Sequence, residues 1–186
     1  MEKSDFRPKR MTMKNILKVG VPVCLQDGFI QVSFVVITIF ANQRGLTDAA
    51  AVGIVEKIIS ILFLVPSSMM STISALVAQN IGAGKHDRAK LTLKYVLMIT
   101  VTYGLIMTII VQFVSVPLVG LFTNDGAVAV SGAGYLRSYA SDCIFAGIHF
   151  CLSGYFYAYG LSVISFIHNS ISIVCARIPL SYYASV

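Results

Sequence analysis

Five apolar stretches recur along this chain, each long enough to cross a lipid bilayer, at residues 17–41, 51–78, 93–122, 134–159 and 163–186. About 17–25 predominantly apolar residues span the hydrocarbon core as a helix. In hydrocarbon every backbone N–H and C=O must be bonded within its own segment or bundle. The runs are too continuous for the alternating pattern of a barrel strand. Helices remain, and the sequence predicts an all-α integral membrane protein with five transmembrane helices in one transmembrane region, residues 1–186. The second and third runs exceed the minimum length, which predicts tilt or extension beyond the hydrocarbon. Charged residues make up only 12% of the chain, against about 25% in soluble domains, so an ordinary water-soluble fold is excluded.

The net charge of +6 invites a nucleic-acid reading, but its distribution opposes one. Lys3, Arg7, Lys9, Arg10, Lys14 and Lys18 precede the first run, and Lys85, Arg88, Lys90 and Lys94 follow the second. Arg44 is the single basic residue between the first two runs, and residues 123–133 contain none. Such alternation predicts a cytoplasmic N-terminus and second loop in a multi-pass protein of the cytoplasmic membrane. An odd number of spans would then leave the C-terminus outside. The basic loop fits an anionic membrane face, and no nucleic acid is expected as a partner.

Residues 1–18 are polar and basic, and the run that follows is too long for the core of a signal peptide. The four cysteines, Cys24, Cys143, Cys151 and Cys175, lie inside the runs at spacings that match no zinc pattern. They read as small apolar residues, and no metal site is expected. No Walker motif is present. Asp142, His149 and Ser153 lie along one predicted helix, a spacing that denies the contact a catalytic triad needs. The chain is expected not to be an enzyme and to need no cofactor.

The stretch "LVAQNIGAGKHDRAK" ends the second run. Gln79 and Asn80 come near its end, Gly82 and Gly84 can take positive backbone dihedrals, and the basic residues follow. Asp87 suits the positive dipole end of the next helix. The physical reading is a tight elbow between antiparallel spans. With its flank, the string resembles the cytoplasmic loop of the multidrug and toxic compound extrusion (MATE) transporters. "LKVGVPVCLQDGF", "RGLTDAAAVGIVEKI", "LFTNDGAVAVSGAGYLR" and "RIPLSYY" resemble further family pieces in the same order. The resemblance covers nearly the whole chain. It implies one six-helix lobe of a two-lobe transporter, most like the C-terminal lobe and lacking the last helix, hence a fragment.

Polar residues inside the runs supply the candidate site. Asp27 and Gln31 are four apart and share a face, with Gln26 beside them and Thr38 continuing the stripe. Asp27 lies about 15 Å into its run, near the midplane. Asp142, also counted as well inside its run, shares a face with His149 and Ser153; Asn169 shares one with Ser165 and Ser172, with His168 adjacent. Buried ionisable groups in membranes mark ion or substrate pathways by default, and imidazole can relay protons. Ser67, Ser71 and Ser74 read as a helix-packing stripe, and Tyr155, Tyr157 and Tyr159 as an interfacial belt.

The resemblance implies a secondary active transporter exporting organic, often cationic, compounds by Na⁺ or H⁺ antiport with alternating access. Against the usual coupling acids of such relatives, Asp27 stands about one turn early and Asp142 is displaced outward. The expected partners are the bilayer, a small-molecule substrate, and the missing lobe or a second copy. A flippase for lipid-linked or amphiphilic substrates, and a non-transporting truncated protein or interaction subunit, are the alternatives.

Overall fold

The computed structural model describes residues 10–172, and every regular element among them is an α-helix. They are α1 (Arg10–Arg44), α2 (Leu46–Leu62), α3 (Leu64–Gly82), α4 (His86–Gly120), α5 (Gly126–Ala140), α6 (Asp142–Ala158) and α7 (Ser162–Ser172). Three stretches, Arg10–Val36, Leu46–Gly82 and His86–Gly120, are long and apolar enough to cross a membrane. Two of the expected spans are each built from two helices: the second is α2–α3, interrupted at Phe63, and the fourth is α5–α6, interrupted at Ser141. The fifth is α7, of which residues 173–186, with Cys175, Arg177 and Pro179, lie outside the described residues.

Each interruption leaves a carbonyl short of its helical donor, and α4 provides for both. Pro66 has no N–H to give to the carbonyl of Leu62, four residues earlier. The Tyr103 hydroxyl donates to that oxygen at 3.1 Å. At the second interruption the Thr108 hydroxyl lies 2.9 Å from the carbonyl oxygen of Ala140 and 2.8 Å from Gly104 O of its own helix. In lipid such provision is obligatory, since water is not available to the freed groups.

The packing follows a seam on α4. Its buried residues are Ala89, Val96, Thr100, Gly104, Val111, Ser115 and Val119, at steps of seven and four that keep one side of a helix inward. One half of the seam meets α2 and α5, where Val55, Ile58, Ile59, Leu62, Val111, Val119, Leu136 and Ala140 form a core. The other half meets α3 and α6, where Ile73, Val77, Ala89, Val96 and Cys151 form a second core. Close approach is made by glycines of α6. A Cβ on Gly147 would stand 2.6 Å from Thr100 Cγ2, and one on Gly154 2.5 Å from both Met70 O and Ile73 Cγ2. α1 packs on α7 and α2 at the side of this assembly. Tyr95, Met98, Ile99, Leu105, Ile106, Ile109, Ile110 and Phe113 are exposed on α4, a continuous apolar exterior that suits lipid and not water.

The buried face of α3 is Pro66, Ile73 and Val77, which corrects the expectation of a serine packing stripe. Ser71 is exposed, and Ser67 bonds the carbonyl of Leu64 within its own helix. The close packing there comes from glycine on the partner helix α6.

The elbow forms as the sequence suggests, with one correction. Lys85 N donates to Asn80 O at 2.8 Å and Gly84 N to Ile81 O at 2.9 Å. This pair of bonds is the Schellman closure, with its left-handed residue at Gly84, φ +70. Gly82 is the last residue of α3 and has no positive φ; one left-handed residue suffices for the turn. The α6–α7 turn repeats the closure, with Leu161 N on Phe156 O at 2.9 Å, Gly160 N on Tyr157 O at 3.0 Å, and Gly160 at φ +71. Asp87 lies in the first turn of α4.

Candidate functional site

The residues that meet inside the bundle lie where α1, α6 and α7 converge. Gln26 is buried on α1, and its Oε1 accepts from the Tyr157 hydroxyl of α6 and the Ser165 hydroxyl of α7, each at 3.2 Å. Ser165 Oγ and Ser153 Oγ are 2.8 Å apart, and both residues are buried. A hydroxyl has one proton but can also accept. The amide oxygen can only accept, and the single Ser165 proton is within reach of both Gln26 Oε1 and Ser153 Oγ. Gln26 Oε1 is the acceptor on which the cluster converges.

One helical turn farther from the elbow end lies a second polar group. Ser153 faces Ser165 across the antiparallel pair α6–α7, so the residues four back and four on, His149 and Asn169, lie at one level. The rings of His149 and His168 stack with centroids 5.5 Å apart and planes at 21°. His149 Nε2, Asn169 Nδ2 and Ser170 Oγ are buried and have no hydrogen-bond partner among the described residues. Buried polar groups are nearly always bonded, so three orphans along one interface are unusual.

The predicted faces divide between inside and outside. On α1 the buried polar residues are Gln26 and Ser33, and they lie on a different side from the face that Asp27 and Gln31 share. Asp27 and Gln31 are exposed. A step of one residue turns a helix by about 100°, and α7 takes the Gln26 side. On α6, Ser153 is buried and His149 half-buried, but Asp142 is exposed in the first turn after the interruption. Counting residues inward from the end of a run measures depth in a membrane, not cover by protein, and these two properties differ at Asp27 and Asp142. Asn169 is buried at the α7 interface.

Three functional contacts escaped the sequence reading. Glu56 stands within the second apolar run, and its carboxylate accepts from Thr38 Oγ1 at 3.2 Å. An acid in an apolar run is itself a signal in the sequence. Tyr157 turns into the Gln26 cluster instead of serving only as a belt residue. Tyr155 donates to Tyr159 at 3.4 Å, and the Tyr159 hydroxyl lies 3.5 Å from His86 Nδ1. These two tyrosines tie the α6 end to the elbow, a long-range contact that spacing alone does not reveal. Gln79 is exposed at the elbow, and its carbonyl accepts from Ala83 N at 3.1 Å.

Depth can be read along α4. Lys94 and Ser115 are 21 residues apart, about 31 Å in a helix, which matches the hydrocarbon thickness of about 30 Å. Arg137 Nε donates to Ser115 Oγ at 2.7 Å, so basic groups bracket the apolar length. At the other side Ser162 Oγ donates to Lys18 O at 3.3 Å, which puts the starts of α1's apolar part and of α7 at one level. Asp27 is nine residues beyond Lys18, about 14 Å; it is an exposed acid at mid-depth.

No group of three or more His, Cys, Asp or Glu residues that could hold a metal ion occurs among the described residues. Cys24, Cys143 and Cys151 are free thiols.

A family model described as MatE matches residues 22–183. The multidrug export protein MepA of Staphylococcus saprophyticus is 27% identical over 160 residues, covering 86% of this chain and 35% of that protein. The probable multidrug resistance protein YoeA of Bacillus subtilis is 26% identical over 110 residues, covering 59% of this chain and 24% of that protein. The chain thus spans about a third or less of the length of these curated relatives. No solved structure matches.

Proposed function

This chain belongs to the MatE family, and from that membership we propose that it works as one lobe of a multidrug efflux transporter in the cytoplasmic membrane. Its substrates are organic compounds, often cationic, and inward Na⁺ or H⁺ flow drives their export. The N-terminus, the Gly84 elbow and the Gly160 turn lie on the cytoplasmic side, in keeping with Arg10, Lys14, Lys18, Lys85, Arg88, Lys90 and Lys94. The second lobe comes from a second copy or from a longer polypeptide.

One observation carries the reading: Asp27 is exposed on α1 at mid-depth, with Gln31 exposed on the same side. A carboxylate facing lipid there costs about 2.5–3.5 kcal/mol on insertion scales. Turned toward water between two lobes, it avoids that cost and attracts a cation. Alternating access then follows from rocking of the lobes about this cavity. Ion or substrate binding at the acid shifts the balance between the two states, provided it binds one of them more tightly.

The test is transport by the reconstituted protein, in proteoliposomes carrying an imposed pH or Na⁺ gradient and a fluorescent cationic dye. Dye movement should follow one gradient and be lost in Asp27→Asn while insertion persists. Dye movement indifferent to both gradients would overturn the antiport reading. Movement of a lipid-linked carrier without dye movement would replace it by a flippase. An inserted protein that moves neither would leave a non-transporting subunit.

A further inference from the structure

The polar group around His149 is built on α6 and α7, whereas Asp27 stands on α1. Its members are half-buried His149, exposed His168, and buried Asn169 and Ser153. Two of its atoms, His149 Nε2 and Asn169 Nδ2, lack any partner among the described residues. Asn169 is 8% exposed, so water does not satisfy its amide from outside. An interface that tolerates such orphans needs an occupant or a state in which they are bonded.

The chemistry of the atoms chooses among occupants. A hard cation needs several oxygen ligands. Here the one amide oxygen of Gln26 already accepts two hydrogen bonds, and an imidazole nitrogen is a poor ligand for Na⁺. An imidazole nitrogen does bind a proton near neutral pH. Asn169 suits either state. Its Nδ2 can donate to a neutral His149 nitrogen, and after a half-turn its Oδ1 can accept from a protonated one. Ser153 adds acceptor lone pairs one turn below His149.

We propose that His149 and His168, backed by Asn169 and Ser153, form a proton-binding site that takes up one proton on either of two neighbouring imidazoles. The proton arrives from water at the exposed His168 side and adds to a ring nitrogen lone pair. The site then carries a single positive charge. A second proton is opposed by the first: at 5.5 Å between ring centroids like charges interact strongly even in a partly wet interior, weakening the second binding by roughly tenfold or more. The Gln26 end of the cluster cannot pass the proton on toward the elbow end. Its oxygen accepts from both Tyr157 and Ser165 and donates nothing.

The surroundings hold few competing charges. α3 has no titratable residue. On α4, Tyr103 donates to Leu62 O and Thr100 lies 3.4 Å from Cys151 Sγ. On α1, Asp27 is exposed, and its charge is within electrostatic range of Tyr157 on α6. On α6 itself, Asp142 lies two turns away, Cys143 is a buried free thiol, Cys151 lies against Thr100, Tyr155 bonds Tyr159, and Tyr157 belongs to the Gln26 cluster. On α5, Arg137 is held by Ser115. His168 is the group that sets the site's charge. As a coupling proton this inference rests on the transporter reading; as a proton site it does not.

The chain has three histidines, His86, His149 and His168, so imidazole nitrogen NMR can follow every one. The experiment uses the full chain with ¹⁵N-labelled histidine in lipid nanodiscs, with His86→Gln to remove the elbow signal. Between about pH 8 and about pH 5 the His149 and His168 signals together should report uptake of about one proton. His149→Gln and His168→Gln should each still take up one, and the double variant none. Two protons taken up by the unsubstituted pair would overturn the proposal, because the rings would be independent. An unresponsive His149 in the His168→Gln variant would also overturn it. His168 is exposed, so its replacement leaves packing intact should His149→Gln unfold the protein. A chain that titrates in this way yet moves no dye retains the proton site and loses the transporter reading; dye transport with no such titration does the reverse.

Discussion

The carbonyl of Leu62 offers a sharp test of how the broken spans are held. It loses its helical donor because residue 66 is proline, and the Tyr103 hydroxyl replaces that donor at 3.1 Å. Tyr103→Phe keeps the ring and removes the hydroxyl, leaving a buried acceptor unsatisfied. Interhelical hydrogen bonds in membrane proteins average about 0.6 kcal/mol and reach about 1.7, while an orphaned buried acceptor costs about 1–3 kcal/mol. The expected loss is about 1–2 kcal/mol. Pro66→Ala restores an N–H at the missing position, four residues after Leu62. In that background Tyr103→Phe should cost less than about 0.5 kcal/mol, a coupling of about 1 kcal/mol. Reversible unfolding in mixed micelles, followed by helicity as denaturing detergent is added, measures all four proteins of the cycle. Equal costs of Tyr103→Phe in both backgrounds, within the additivity of about 0.3–0.5 kcal/mol expected of unconnected sites, would refute the reasoning.

Gly84→Ala should destabilise the elbow by about 1–2 kcal/mol, since alanine is strained at φ +70, whereas Gly82→Ala, with open space at its Cβ position, should be neutral or stabilising by up to about 1 kcal/mol; the same unfolding assay compares them. Gly154→Ala puts a methyl 2.5 Å from Met70 O and should cost about 1–3 kcal/mol as overpacking, seen as a lowered thermal midpoint and easier proteolysis between α3 and α6. Gln26→Leu removes the acceptor of two buried hydroxyls and should destabilise the α1–α7 contact by about 1–3 kcal/mol, detected as faster hydrogen exchange in α1 and α7. Cys24 is exposed on α1, one turn before Asp27, so a thiol crosslinker in membranes should join two copies there if a second copy supplies the other lobe; a monomer under saturating crosslinker assigns that place to another polypeptide.

The elements legible in the sequence were those written as punctuation. Gly84 followed by basic residues, and the return to apolar residues after them, gave the elbow without ambiguity. Proline marks the break in the second span, since Pro66 stands three residues after Phe63, yet a proline alone does not say whether a span bends or simply packs. The break at Ser141 has no such mark; it depends on Thr108 of another helix being in reach of Ala140 O. Which face of a helix turns inward was the least legible property. Gln26 and Asp27 are neighbours, and hydropathy treats both as polar intruders. Only the position of α7 separates the buried amide from the exposed acid. Glu56 is the contrary case, an acid standing in an otherwise apolar run whose partner, Thr38, lies on another helix.

Tyr103 and Thr108 stand five residues apart on one uninterrupted helix, about 7.5 Å along its axis. They act as two rivets on a single splint. Turning or sliding α4 far enough to release Leu62 carries Thr108 away from Ala140 in the same stroke. The two interrupted spans are thereby geared together, and a rearrangement that frees one carbonyl cannot leave the other as it was.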